Sequence, residues 1–196
     1  SETVLTDWDG TPAMLYHTSR PGEWKQDTLE LRVANKGSGP FNWVAGLYFW
    51  DSNFDIRLRS YIGFAVPGRI LDIAQFDHQT AKSQAAFFEG DYKFANNWTA
   101  TVGGRYTKDK KSTAARGNVD TGVPPSSGFP PGVGPDPSHS WSQFTPKVGL
   151  KYQINPTAMA YLTYSKGYRS GGFLSRVSSY NEAITPYNQE TVANYE

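Results

Sequence analysis

The sequence contains no cysteine, no long apolar run and almost no net charge. Each absence removes a class of protein. Without cysteine there is no disulfide framework and no thiolate metal site, so the fold must close through backbone pairing and packing alone. No stretch of about 18 apolar residues occurs, which excludes a membrane-spanning helix. It does not exclude a membrane protein: a spanning strand needs only about 9–11 residues, of which every second one is apolar. The formal net charge is +1, without the basic excess expected of a nucleic-acid binder. The start, Ser1-Glu-Thr-Val-Leu5, lacks the basic and apolar pattern of a leader. Either a leader has been removed or the chain begins inside a larger protein.

What the chain has in quantity is aromatic side chains, 15% of its residues. That suits a barrel with aromatic girdles at two interfaces. It equally suits an aromatic-rich secreted β-sandwich or a sugar-binding module, and composition leaves these open. Its 196 residues make one or two domains.

Turn candidates discriminate better. In order they are Lys36–Pro40, a long stretch Ser60–Ala74, Ala95–Asn97, a very long stretch Thr113–Ser140, Ile154–Pro156, and a long stretch Gly171–Asn188. Short and long alternate throughout. An up-and-down antiparallel sheet whose two ends face different surroundings has this signature, and outer-membrane barrels show it.

Between the turns, polarity alternates with a period of two, the mark of a strand with unlike faces. Leu29, Leu31 and Val33 share one face of Asp27–Ala34, against Thr28, Glu30 and Arg32. Phe88 opposes Glu89 and Asp91; Val102 opposes Arg105; Val148 and Leu150 oppose Lys147 and Lys151; Leu162 opposes Tyr161 and Thr163. Charges keep to one face. Aromatics recur beside the short turns, as Trp43, Phe94, Trp98 and Tyr152. Sandwich strands are usually about 5–6 residues long, whereas here alternation runs over roughly 9 or more, as spanning requires. Pro146 is a mild conflict, tolerable at a bulge or a widely spaced pair.

Enzymatic chemistry is thin. His78 follows Asp77 and His139 lies near Asp136, but a lone Asp–His neighbour pair is far more often solvated surface than a catalytic pair. No nucleophile elbow and no metal-ligand spacing occur, so the chain is expected to be no enzyme and to carry no cofactor and no metal. Gly167-Tyr-Arg-Ser-Gly-Gly172 follows a strand but opens no helix, so it fails as a phosphate loop.

Phe144-Thr-Pro-Lys-Val-Gly-Leu-Lys-Tyr152, the turn Asn155-Pro-Thr157 and Ala160-Tyr-Leu-Thr-Tyr-Ser-Lys-Gly-Tyr-Arg-Ser-Gly-Gly-Phe173 resemble the barrel of TonB-dependent outer-membrane receptors. So do Leu29-Glu-Leu-Arg-Val33, Gly39-Pro-Phe-Asn-Trp-Val-Ala-Gly-Leu-Tyr48 and Ala86-Phe-Phe-Glu-Gly-Asp-Tyr92. The likeness extends over most of 27–196. It implies a barrel of about 22 strands with a plugged lumen, and a segment that engages the TonB complex. The expectation is therefore an all-β fold, a transmembrane antiparallel up-and-down β-barrel. Residues 1–196 would be a partial barrel of six strands and the start of a seventh at Glu190, with no plug domain in this chain. An eight-stranded closed barrel with an extra strand at Val4–Trp8 is the alternative.

The resemblance also implies partners: outer-membrane lipid, the plug domain of the same receptor, the TonB complex through a segment outside this chain, and a small-molecule or metal-chelate ligand such as a ferric siderophore. Glu30, Arg32, Glu89, Asp91, Arg105, Lys147 and Lys151 would face the lumen and the plug. Ligand contacts would come from upper-wall and loop residues: Trp24, Trp50, Phe54, Arg57, Arg59, Tyr61, Arg69, Tyr168, Arg169, Phe173 and Tyr180. Arginine suits carboxylate, phosphate or catecholate-type oxygens, and aromatics suit ring faces. A passive porin, an adhesin or a soluble sugar-binding β-domain remains the competing reading.

Overall fold

The computed structural model describes residues 2–13, 15–35, 37–66, 68–119, 136–174 and 180–196. Eight strands follow one another: β1 Glu2–Asp7, β2 Tyr16–Ala34, β3 Phe41–Val66, β4 Arg69–Ala95, β5 Trp98–Val119, β6 Ser138–Asn155, β7 Ala158–Arg169 and β8 Glu190–Tyr195. One five-residue helix, α1 Tyr180–Ile184, precedes β8. The strands form a single antiparallel sheet in sequence order, each paired with its neighbours in the chain. The sheet is open: β1 and β8 are its edges.

Directly opposed residues share a face, so the register sorts the side chains. One row across the sheet reads Leu31, Leu47, Ala86, Tyr106, Phe144. The next reads Arg32, Gly46, Phe87, Arg105, Thr145. The apolar and charged faces read in the sequence are thus the two faces of one sheet. No second layer covers the apolar face among the described residues. Leu31 is 55% exposed, Val102 58% and Leu162 67%. A soluble sandwich would bury these residues in a core, and that reading fails here.

Apolar side chains left bare along a whole face belong against lipid. The band has a measurable height. Trp98 stacks on Phe94 at 6.3 Å and packs on Tyr152 at 4.6 Å beside the short turns. Tyr106 and Phe144 form the next aromatic pair up the same two strands. Val102 and Val148 are paired halfway between. Eight residues at about 3.3 Å each run about 26 Å along the strand, or about 20 Å of height once tilted as barrel strands are, a little under the ~25 Å expected of the apolar band.

Several boundaries differ from the sequence reading. Among the described residues there are eight strands, not six and part of a seventh. β1 pairs with β2 from Glu2↔Gly22 to Asp7↔His17, so the strand at Val4–Trp8 exists, but the sheet it edges does not close. β2 begins at Tyr16 rather than Asp27. Ser60–Ala74 is no long loop: β3 and β4 stay paired out to Val66↔Arg69, and Gly68 takes φ +74° in the turn, where a side chain would be strained. Above the membrane both faces of a hairpin are wet, so the period of two disappears from the sequence while the pairing continues. The short turns fall at 35–40, Asn96-Asn97 and Pro156-Thr157, all at one end of the sheet, with Lys36 itself outside the described residues. Most of the Thr113–Ser140 stretch, 120–135, also lies outside them. Pro146 proves informative: β6 keeps its pairing with β5 there but loses β7 beyond Lys147↔Ser165, just where its backbone has no N–H to give.

Candidate functional site

The charged face carries two groups of side chains, one at mid-wall and one above the band. At mid-wall, Glu30 and Arg32 are ion-paired, as expected for residues two apart on one strand face. Lys147 Nζ lies 3.0 Å from Glu89 Oε2 across two strand pairings. Arg105 reaches over two rings, its guanidinium carbon 5.0 Å from the Tyr48 ring centre and 5.8 Å from that of Phe87. Its Nε donates to Thr107 Oγ1 at 3.1 Å. These residues surround a depression of about 340 Å³. Asp91, nearer the short turns, accepts from Thr101 Oγ1 at 2.6 Å. Lys151 is exposed in the same end of the wall, opposite Thr99 and Tyr161. All seven residues expected to face the lumen therefore share one face, and five of them gather around the depression.

The candidate ligand residues do not form one site. Trp24, Trp50 and Phe54 share the charged face on β2 and β3, above the band. Trp24 Nε1 donates to Ser52 Oγ at 2.6 Å, and Trp50 Nε1 to Gln26 Oε1 at 3.3 Å, which fixes both indoles. Trp24, Phe54 and Arg20 line a shallow depression of about 440 Å³. Arg57, Arg59 and Tyr61 alternate with this set and lie on the opposite face, where Arg59 stacks 5.4 Å from Tyr61. The side chains of Arg69 and Tyr180 lie outside those described.

Tyr168, Arg169 and Phe173 belong to a third place. There the chain between β7 and β8 folds back over β5 and β6. Lys111 Nζ donates to the Gly171 carbonyl at 2.7 Å. Phe173 is buried edge-on to Trp141, ring centres 6.5 Å apart. Gly172 bridges to Tyr187, Gln189 Nε2 donates to Gln143 Oε1 at 3.2 Å, and Ala183 of α1 is wholly buried. The Tyr168 hydroxyl is buried beside the Asp109 carboxylate. Arg169 is exposed, 3.9 Å from Glu190. Burial pushes the Lys111 ammonium below the usual lysine range; Asp109 opposes that shift and Arg169 adds to it. So Gly167–Gly172 is the root of a tucked strap, not a phosphate loop.

The sequence reading does not single out Asp109, Lys111, Thr113 and Trp141, of which Lys111 and Trp141 hold this strap. The signal was present: 105, 107, 109, 111 and 113 share one strand face, as do 141, 143 and 145. It also misjudged Asp77. That carboxylate is buried, accepting from Thr113 Oγ1 at 2.6 Å and Gln79 Nε2 at 2.7 Å. Its neighbour His78 points the other way, exposed, with Nδ1 2.6 Å from Asp55. Adjacent strand residues face apart, so the two cannot act as a pair. In the β1–β2 turn, ligand-type atoms of Asp7, Asp9 and His17 come within 4.8 Å of one another. Both carboxylates are already engaged there: Asp7 accepts the Asp9 and Gly10 N–H groups, and Asp9 those of Thr11 and Tyr16.

A one-layer meander, bare and apolar on one face and charged on the other, defines the class: a transmembrane β-barrel wall. The chain belongs to the TonB-dependent receptor-like β-barrel family, whose model matches residues 4–196. Among solved structures it is similar to FyuA, the ferric yersiniabactin uptake receptor of Yersinia pestis, with TM-score 0.78 and 22% identity over 94% of this chain. The chain spans 27% of that receptor's length. The alcaligin outer-membrane receptor FauA of Bordetella pertussis overlays more loosely, with TM-score 0.39 and 17% identity over 86% of this chain and 35% of its own. The family is one of receptors, not of enzymes.

Proposed function

We propose that this chain is a sector of the wall of an outer-membrane receptor that takes up a scarce nutrient, such as a ferric siderophore, with energy delivered through TonB. The observation that carries the reading is the pair of unlike faces on one sheet. On this reading the apolar face meets lipid of the outer membrane of a Gram-negative bacterium, which the bare apolar side chains and the family match support. The charged face at Glu30, Arg32, Glu89, Arg105 and Lys147 meets a plug domain of the same receptor. The plug, and the segment that engages the TonB complex, lie outside residues 1–196. A small-molecule or metal-chelate ligand is met higher up, where Trp24 and Phe54 flank Arg20. FyuA's role in ferric yersiniabactin uptake makes ferric chelates the first class to assay.

The test uses the full reading frame. Cells expressing it are given labelled ferric chelates with TonB present or deleted. The receptor reading expects saturable uptake that stops without TonB. A passive porin would keep its uptake after TonB deletion and would conduct ions as an open pore in planar bilayers. That result would replace this reading.

A further inference from the structure

We infer that Arg105 is the docking point for an aspartate or glutamate side chain of the polypeptide that fills the barrel lumen. The inference rests on the receptor reading above and names the chemistry of one contact within it. Around Arg105 the charged face presents three cations, Arg32, Arg105 and Lys147, and only two carboxylates, Glu30 and Glu89. Both carboxylates are taken, Glu30 by Arg32 and Glu89 by Lys147. Arg105 has no acid partner among the described residues, and its one side-chain hydrogen bond uses Nε.

Its geometry is that of a prepared donor. The guanidinium lies over the Tyr48 and Phe87 rings, and Thr107 fixes the Nε end. Phe87 is itself fixed against Gly46, where a Cβ would come 2.5 Å from the ring. The terminal N–H groups of Arg105 make no side-chain hydrogen bond in the described structure, so they remain for a planar two-oxygen acceptor. A carboxylate arriving from the lumen would meet an arginine already ordered and partly stripped of water, and the one cation left over matches it in sign.

The experiment uses the full-length receptor in outer membranes, with Arg105→Gln, Arg105→Glu and Arg105→Lys. Protease cleavage of the lumen-filling domain is timed, and heat-modifiable mobility reports that the barrel is folded. The expected result is cleavage about tenfold faster or more for Arg105→Gln, faster still for Arg105→Glu, and partial recovery with Arg105→Lys. Suppressors of Arg105→Glu should change an acidic plug residue to lysine or arginine. If Arg105→Glu fails to assemble, Arg105→Gln carries the cleavage test. Unchanged cleavage in the variants, suppressors confined to the barrel wall, or a receptor with no protected lumen domain would overturn the proposal. So would unchanged cleavage with a raised KM for an anionic nutrient, which would assign Arg105 to passing ligand. Altered cleavage without any TonB-dependent uptake would instead sink the transport reading and leave the docking contact standing.

Discussion

Lys111 on β5 donates from Nζ to the carbonyl of Gly171, 60 residues further along the chain and 2.7 Å away. The contact ties the chain between β7 and β8 down onto the charged face. It leaves no room for a side chain at its acceptor. A Cβ at Gly171 would come 2.6 Å from the Trp141 indole and closer still to the Tyr187 carbonyl.

Gly171→Ala should therefore lift the strap without disturbing the wall beneath. Neither the indole nor a backbone carbonyl can yield by the required distance, and overpacking of this kind costs about 1–3 kcal/mol. Amide exchange across 170–188 in the full receptor should accelerate, with β5 amides unchanged. Gly39→Ala is the control, because a Cβ there meets nothing within 4 Å. Equal exchange in both variants would show that the strap is not held by this contact.

The strap also marks how far the sequence could be read. Alternation survives wherever one face meets lipid and the other does not, so Leu29–Val33, Phe88, Val102 and Val148–Leu150 were assigned to their face correctly. Above the band, water wets both faces, and residues such as Asp55, Arg57 and Gln79 carry no periodic signal although they lie in strands. That is why β3 and β4 were cut short at Ser60–Ala74 and why β2 was begun eleven residues late. The mid-wall charges were legible because a charge there must avoid lipid. Residue type alone points to the ligand residues, and register separates Arg57, Arg59 and Tyr61 from Trp24, Trp50 and Phe54. Lys111 and Trp141 share a parity that could have been followed upward. Their meeting with Gly171 and Phe173 depends on how a chain returns over the sheet, which no local pattern encodes.

Charge placed on the apolar face should be punished by depth. Val148 lies four residues from Phe144 and four from Tyr152, at the middle of the band. Val148→Arg should cost about 2–4 kcal/mol of membrane stability, and Tyr152→Arg, at the interface, about 0–1 kcal/mol from the same charge. Lys147→Arg, one residue away on the charged face, should be nearly silent. Reversible folding of the full receptor into vesicles under denaturant measures all three. A neutral Val148→Arg would mean that this face does not touch lipid.

Acid should open the β1–β2 turn late. The Asp9 carboxyl is lowered to about 2, first by the Thr11 hydroxyl, then by the Tyr16 N–H, with smaller help from the Thr11 N–H and His17. A group whose folded value is depressed contributes stability above its unfolded value and loses it as pH falls through the folded one. The turn should stay closed down to about pH 4 and open as pH approaches about 2. Pepsin, normalised to a denatured substrate at each pH, should cut between Trp8 and Tyr16 faster at the lower value. Asp9→Asn should remove that pH dependence and leave the turn open at both. Equal cutting of the natural chain at the two pH values would contradict the assignment.

Residues 1–196 expressed by themselves behind an export signal should not form a stable barrel. The sheet has two edges, β1 and β8, that do not meet. Inside the hydrocarbon each unpaired backbone N–H or C=O costs several kcal/mol. A domain's whole stability is about 5–15 kcal/mol, so a few such groups already exceed it. In water the same product fares no better, since Leu29, Leu31, Val102, Val148 and Leu162 would stand bare on one continuous face. Aggregation or degradation is the expected outcome on either route. Supplying the rest of the wall should rescue the same strands, because every edge then finds a partner. Heat-modifiable gel mobility gives the readout. A compact, detergent-stable band from 1–196 alone would show that β1 and β8 can close on each other, and an eight-stranded barrel would then replace the receptor-wall reading.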